Sequence, residues 1–361
     1  MKFGLKTIDI YIIKKFIGTY FFSIFLIICI FIIFDISEKI DDFVGKKAPL
    51  DKIVFDYYLT FIPFFLNTFT SLFVFISVIF FTSKMAYNTE IVAILSGGTG
   101  FLRMMLPYFV SAMIIFLMSL ILSHFVIPPA SKIRLAFENE YTKNPFQRTA
   151  TDMHMQVQPG EYLYISNYYR HNNRALNFSL ERFEDKTLTS KLMSDYAEWD
   201  STNRKWRLND YYIREFTESD EKITSGNGLD TTVNFTAEEL KQRDNVVLSM
   251  DYFELNRYIE ELKMRGTKAD SAILEKYNRT SIPFSVFVLT LIGVSISSRK
   301  VRGGIGLQIM IGISLSFMYI LMLRFSEIFI QIGIAEPIIA AWIPNLLFLG
   351  VGIFLYIKAP K

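Results

Sequence analysis

Cysteine is almost absent: of 361 residues only Cys29 carries a thiol. No disulfide framework can form within the chain, and Cys29, in the middle of an apolar run, reads as a small packing residue. Histidine is nearly as scarce. His124, His154 and His171 are scattered, and neither an H-E-x-x-H stretch nor a cysteine pair accompanies them, so nothing points to a metal site or any other cofactor. A G-x-S-x-G elbow is missing as well. The glycine-rich pieces SGGTG at 96–100 and RGGIG at 302–306 lack the Lys-Ser/Thr ending of a phosphate-binding loop, so the chain has no visible means of hydrolysing ATP. Paired carboxylates deep in an apolar run, which a proton-driven carrier would need, are not seen. Arg324 and Glu327 come nearest, one turn apart, and read first as partners of each other. The polar stretch 128–280 holds 22 Lys+Arg against 25 Asp+Glu, a net of −3, which excludes a strongly basic nucleic-acid surface.

What the chain has in abundance is apolar sequence, 51% overall with 35 phenylalanines. It falls into blocks at 16–34, 57–83, 104–127, 281–298, 303–323 and 337–357. Each is close to the roughly 20 helical residues needed to cross a hydrocarbon core about 30 Å thick. The first block is longer than a signal-peptide core and no small-x-small site follows, so it reads as an uncleaved anchor. Residues 1–15, with Ile8, Tyr11 and Ile12 on one side and Lys14 and Lys15 on the other, predict an interfacial helix.

Charge asymmetry sets the expected orientation. Lys2, Lys6, Lys14, Lys15, Lys84, Arg103, Arg299, Lys300, Arg302, Lys358 and Lys361 all fall on one side, opposed only by Asp9 and Glu90. The other short connections are acidic or mixed, with Asp35, Glu38, Asp41, Asp42 and Asp51. The positive-inside rule therefore predicts cytosolic termini and an extracytoplasmic 128–280 insert, with a bacterial inner membrane as the natural setting. Pro128-Pro129 is expected to stop the third span, and a polar helix to follow to about residue 143.

From His154 the apolar period changes to two. Short strands are predicted near 161–166, 175–180, 188–194, 196–199, 206–208, 211–216 and 231–235, separated by Gly-, Asn- and Pro-containing turns: an antiparallel sandwich or jelly roll. Helical spacing returns at 251–265, with Leu255, Ile259 and Leu262 on one face, before Gly266 breaks it. The expected architecture is an α-helical membrane protein with six transmembrane helices (3+3) and an inserted extracytoplasmic all-β jelly-roll-like domain. Its parts are a membrane half over 1–131, the β-domain with flanking helices over 132–270, and a second membrane half over 271–361.

One connection stands out. Residues 84–103, KMAYNTEIVAILSGGTGFLR, link the second and third spans. Asn88 and Thr89 are good N-cap types, Glu90 lies where a carboxylate favours the helix dipole, and Ile91, Ile94 and Leu95 share a face. Gly97, Gly98 and Gly100 then turn the chain back. Such a helix is either a plain connection or a grip for a cytosolic partner. At the other membrane face, Lys39, Lys46 and Lys47 are either solvated boundary residues or contacts for anionic groups.

The 3 + β-domain + 3 layout, the run NTEIVAILSGG and the opening IDIYIIKKFIGTYFFS resemble the LptF/LptG (YjgP/YjgQ) permease family over essentially the whole chain, with IDIYIIKKF nearer the LptG branch. The resemblance implies a non-catalytic membrane subunit of the ABC transporter that extracts lipopolysaccharide from the inner membrane. It implies partners too: a cytosolic LptB ATPase dimer, a second LptF/LptG-type permease, and LptC with a periplasmic bridge that takes the lipid from the jelly roll. By the same resemblance residues 88–97 are the coupling helix docking on LptB, with Glu90 in contact and Ala93, Gly97 and Gly98 as packing positions. Lys39, Lys46, Lys47 and Arg324 fall in regions where basic residues of the first and fifth spans meet lipid phosphates at a lateral gate. A lipid leaving hydrocarbon costs about 0.8 kcal/mol per CH₂, so a chain without an ATPase needs one from outside. Two other classes stay open: an ABC permease acting mechanically on periplasmic partners, and a membrane scaffold or receptor whose β-domain binds a protein.

Overall fold

The computed structural model describes residues 6–142, 150–169, 172–184, 187–217, 220–233, 235, 246–265, 269–299 and 304–359. Lys2, His171, Gly266, Lys300, Arg302 and Lys361 lie outside the described residues. The chain divides into two compact units, one formed by 1–143, 247–252 and 270–361, the other by 144–246 and 253–269.

Among its described residues the first unit contains six helices long and apolar enough to cross a membrane. Among the described residues, the predicted interfacial stretch from Thr7 runs into the first span without a break, as one helix, α1 (Thr7–Gly45). Asp9 accepts a hydrogen bond from the Lys6 amide at 2.7 Å at its start, and no proline breaks the run, so the helix continues unbroken through the acidic stretch after Phe34. Its 39 residues extend about 58 Å at 1.5 Å per residue, well beyond the hydrocarbon thickness. Ile12, Phe16, Tyr20 and Ile24, spaced by four, form its buried stripe, while Cys29 lies on the exposed side.

Helix α2 (Leu50–Tyr87) is followed by the short α3 (Glu90–Ser96) and by α4 (Phe101–Tyr141). Pro128-Pro129 does not stop α4. A π-helical stretch, Leu122–Val126, comes just before, and the prolines occupy the opening of the next α-helical segment, where an amide donor is least needed. Helix α5 (Val246–Ser249) belongs with this unit apart from its first residue, and α7 (Asp270–Ser297), α8 (Gly304–Gln331) and α9 (Pro337–Lys358) complete it. The most buried span is α7; α1 and α8 are the least buried. Close approach of α7 to α2 depends on Gly293, where a Cβ would fall 2.8 Å from Val78 Cγ1. Hydrogen bonds between spans, such as Tyr20 with Thr70 at 3.0 Å and Asn345 to the Ser281 carbonyl at 2.7 Å, satisfy polar groups that lipid cannot.

The second unit is built on a seven-stranded antiparallel sheet: β1 (Ala150–Gln158), β2 (Glu161–Tyr169), β3 (Arg174–Glu184), β4 (Thr187–Asp200), β5 (Lys205–Phe216), β6 (Glu221–Gly226) and β7 (Leu229–Thr231). The jelly-roll-like domain thus takes the form of strands running up and down in sequence order, with β7 also pairing β5. The predicted strands at 188–194 and 196–199 are one strand, as are those at 206–208 and 211–216. Their apparent breaks have a common cause. Asp152, Asn177 and Asp210 adopt left-handed φ of 49°, 48° and 49°. The ladders skip these residues together with Ser166 and Asp195, which lie in the same transverse row. Each strand therefore gains one residue in phase across this row. Burial shifts from Phe178 and Leu180 to Ala175 on β3, and from Leu192 to Ala197 and Trp199 on β4, while register is kept. One face stays apolar along the whole sheet, closed by Trp206, whose Nε1 donates to the Phe235 carbonyl at 3.0 Å. Helix α6 (Tyr252–Met264) buries Leu255 and Ile259 as its periodicity predicts.

Candidate functional site

The connection at 84–103 forms a short helix, but by other means than its sequence suggests. Thr89 is the N-cap residue with φ 62°, and its hydroxyl donates to the Asn88 carbonyl at 2.6 Å rather than capping the helix. Asn88 instead terminates α2 and places its side-chain amide 3.5 Å from Glu90 Oε1. The helix is held from below. Ile91 is 1% exposed, and Ile94 and Leu95 pack with it on the apolar core of α1, α2 and α4.

Two polar contacts fix the start of α1 beside this helix. Tyr11 donates its hydroxyl to Glu90 Oε2 at 3.1 Å. Asp9, itself 3% exposed, accepts two hydrogen bonds from Arg103, at 2.8 and 2.6 Å. This paired geometry uses both guanidinium branches and orients the first turn of α4. Glu90 is accordingly half-buried and already has a partner within the chain. The sequence offered little sign of either contact, because Asp9 and Tyr11 lie some ninety residues from Arg103 and eighty from Glu90.

What α3 leaves outside is a small, smooth face. Glu90, Ala93 and Gly97 follow one another at helical spacing along it, and Val92, Ala93, Ser96 and Gly97 are exposed. Gly98 has φ 80°, the left-handed conformation that ends the helix; Gly97, at φ −74°, has no such requirement.

The outer basic residues separate into different situations. Lys39 is not free: it donates to Asp35 Oδ1 at 2.7 Å and to the Tyr57 hydroxyl, and its ammonium lies over the Tyr57 ring. Asp35 also accepts from Tyr58 at 3.1 Å, so this buried cluster locks α1 to α2. Lys46 donates to the Thr142 carbonyl at 2.9 Å, where α4 ends. Lys47 closes the turn after α1 with φ 52°, and its exposed ammonium has no partner among the described residues. Arg324 pairs with Glu327 at 3.0 Å on an exposed face of α8. Lys39, Lys46 and Lys47 thus share the end of α1, whereas Arg324 stands on another span.

Residues 10–358 match the model of a family described as "Lipopolysaccharide export system permease LptF/LptG". No curated protein matches the chain.

Proposed function

The chain belongs to the LptF/LptG family of lipopolysaccharide export permeases, and from that premise we propose that it is the membrane subunit through which a separate cytosolic ATPase drives lipopolysaccharide out of the inner membrane. The observation that carries this reading is α3: a helix seated on the span core by Ile91, with a small exposed face of Ala93 and Gly97 and a carboxylate, Glu90, at its edge. Such an element transmits a push because it is fixed to α1 through Tyr11 and runs directly into α2 and α4. Its partner is an LptB-type ATPase dimer, with a cationic side chain facing Glu90. Both termini and α3 lie in the cytosol, and the β-domain lies in the periplasm, where it hands lipid to LptC and a bridge.

The two least buried spans, α1 and α8, support a lateral opening and a second permease of the same family as neighbour. The spans α1 and α8 would then form the gate. Lys47 and Arg324 are the residues available there to lipid phosphates, Lys46 less so, and Lys39 acts through the Asp35–Tyr57 cluster. Arg324 would exchange Glu327 for phosphate, a charge-assisted contact of similar kind.

Mass spectrometry of the complex purified in mild detergent tests this reading. Co-purification of an ATPase, a second permease and a lipid A species is the expected result. An ATPase without such lipid favours a mechanical permease, and neither favours a scaffold.

A further inference from the structure

The sheet has a second face, opposite its apolar core, that the transport reading does not use. Cross-strand pairing aligns His154, Tyr164, Ser179, Met193 and Tyr212 in one row over β1 to β5. The next row on the same face carries Gln156, Tyr162, Glu181 and Lys191. Between them, on the far side, Leu163, Leu180 and Leu192 are buried, so the platform is rigid. These two rows line a cavity of about 670 Å³, within the usual range of roughly 300–1,000 Å³ for ligand pockets.

The lining defines what fits. Tyr162 and Tyr212 are 44% and 36% exposed, and the His154 and Tyr164 rings lie 4.3 Å apart. Flat rings of this kind offer faces to C–H-rich surfaces, with polar tips at their edges. Tyr164 donates to Asp152 at 3.2 Å, and burial, with that carboxylate, raises its pKa, so the hydroxyl keeps its proton. Lys191, bonded to Glu181 at 2.8 Å, and Arg265 are matched in the lining by Glu181 and Asp195, so the cavity carries no net charge to select a phosphate. The charges, in turn, disfavour an acyl chain. Ser179 is 4% exposed and its Oγ has no hydrogen-bond partner among the described residues, an unmet polar group in the wall of the cavity. The cavity lies on the sheet's face, not its edge, so strand addition by a peptide does not use it.

We infer that this groove binds a neutral oligosaccharide, the sugar chain carried by the transported glycolipid. The inference rests on the lipopolysaccharide reading for the identity of the glycan. Sugar rings stack on Tyr162 and Tyr212, and their hydroxyls meet Gln156, Ser179 and Asn177.

The test uses the full chain in its complex in nanodiscs. The probe is an uncharged hexose oligosaccharide, free of carboxylates and phosphates, followed by saturation-transfer NMR and calorimetry. Saturable binding is expected, weakened about tenfold or more by Tyr162→Ala with Tyr212→Ala, a change of about 1.4 kcal/mol or more. Both side chains are solvent-facing, so the core is untouched. Ser179→Ala provides a second variant, with a smaller loss. No saturable binding, equal binding by the double variant, or equal binding of an extended peptide of similar mass overturns the inference. ATP-driven extraction of lipid with and without its sugars is measured in parallel. Wild-type extraction of both, without oligosaccharide binding, removes the sugar site and leaves the transport reading standing. Oligosaccharide binding without any lipid extraction upholds the groove and removes the transport reading.

Discussion

Gly97 and Gly98 are neighbours that are glycine for different reasons, and substituting them separately distinguishes docking from folding. At Gly98, φ is 80° and a Cβ would meet nothing within 4 Å. The cost of alanine there is conformational, about 1–2 kcal/mol for an L-residue in the left-handed region. At Gly97 the added Cβ meets, among the described residues, the Ala93 and Ile94 carbonyl oxygens at 3.4 and 3.5 Å, which is ordinary contact. Alanine therefore fits, and its better helix propensity, worth about 0.5–1 kcal/mol in a helix interior, leaves the fold unchanged or slightly firmer. The fold alone gives position 97 no reason to lack a side chain. A partner seated on the Glu90–Ala93–Gly97 face does give one. Inserting methylenes into a packed interface costs about 1–3 kcal/mol. That is roughly a 5- to 150-fold loss of affinity. Thermal unfolding of the purified permease and titration with its ATPase make the comparison. Gly98→Ala should lower the unfolding temperature. Gly97→Leu should leave it within error while weakening ATPase binding more than tenfold. Unchanged ATPase affinity for Gly97→Leu, or a destabilised Gly97→Ala, would remove docking as the reason for glycine at position 97.

Three further outcomes are expected. An impermeant thiol reagent applied to intact cells should label cysteines placed in the β-domain, such as at exposed Tyr162, and spare Asn88→Cys; labelling at position 88 reverses the orientation. Lys47→Glu and Arg324→Glu should each reduce lipid crosslinking without loss of assembly, whereas Lys39→Ala should lower stability because the buried Asp35 carboxylate keeps its tyrosine donors but loses its cation, read by thermal unfolding. Gly293→Leu forces α7 off Val78 and should cost at least the about 1–3 kcal/mol of overpacking, read as reduced yield and unfolding temperature; a neutral effect would contradict close packing of α7 on α2.

Much of the architecture was legible in the sequence because lipid and water impose simple periods. Six apolar blocks became six long helices, and period-two stretches became strands. The errors cluster where local pattern meets a tertiary contact. Strands β4 and β5 looked broken because Asp195 and Asp210 shift the apolar phase, and only the aligned row across the sheet shows that the strands continue. Pro128-Pro129 looked like a stop because the π-helical turn that accommodates it has no sequence signature. The seating of α3 was readable from Ile91, Ile94 and Leu95, but its capping was not: the left-handed Thr89 overrides cap propensity. The Arg324–Glu327 pair was visible at i,i+3, whereas Asp9–Arg103 and Tyr11–Glu90 required the fold.

The role proposed for Glu90 is to serve a partner and not only its own chain. Tyr11→Phe removes the hydroxyl donor and keeps the carboxylate, so it separates the two roles. If Glu90 acts only within the permease, through Tyr11 and the helix dipole, Tyr11→Phe and Glu90→Gln should behave alike, and the dipole part is worth only about 0.3–1 kcal/mol. Against a cation in a desolvated groove the loss on truncation is larger, about 2–5 kcal/mol. The measurement is ATPase retention and lipid extraction in proteoliposomes for Glu90→Lys, with and without a reversed charge in the ATPase groove. Loss of both activities, partial rescue by the reversed charge, and near-normal values for Tyr11→Phe are expected. Normal retention and extraction for Glu90→Lys would contradict it and leave the helix a plain connection between two spans.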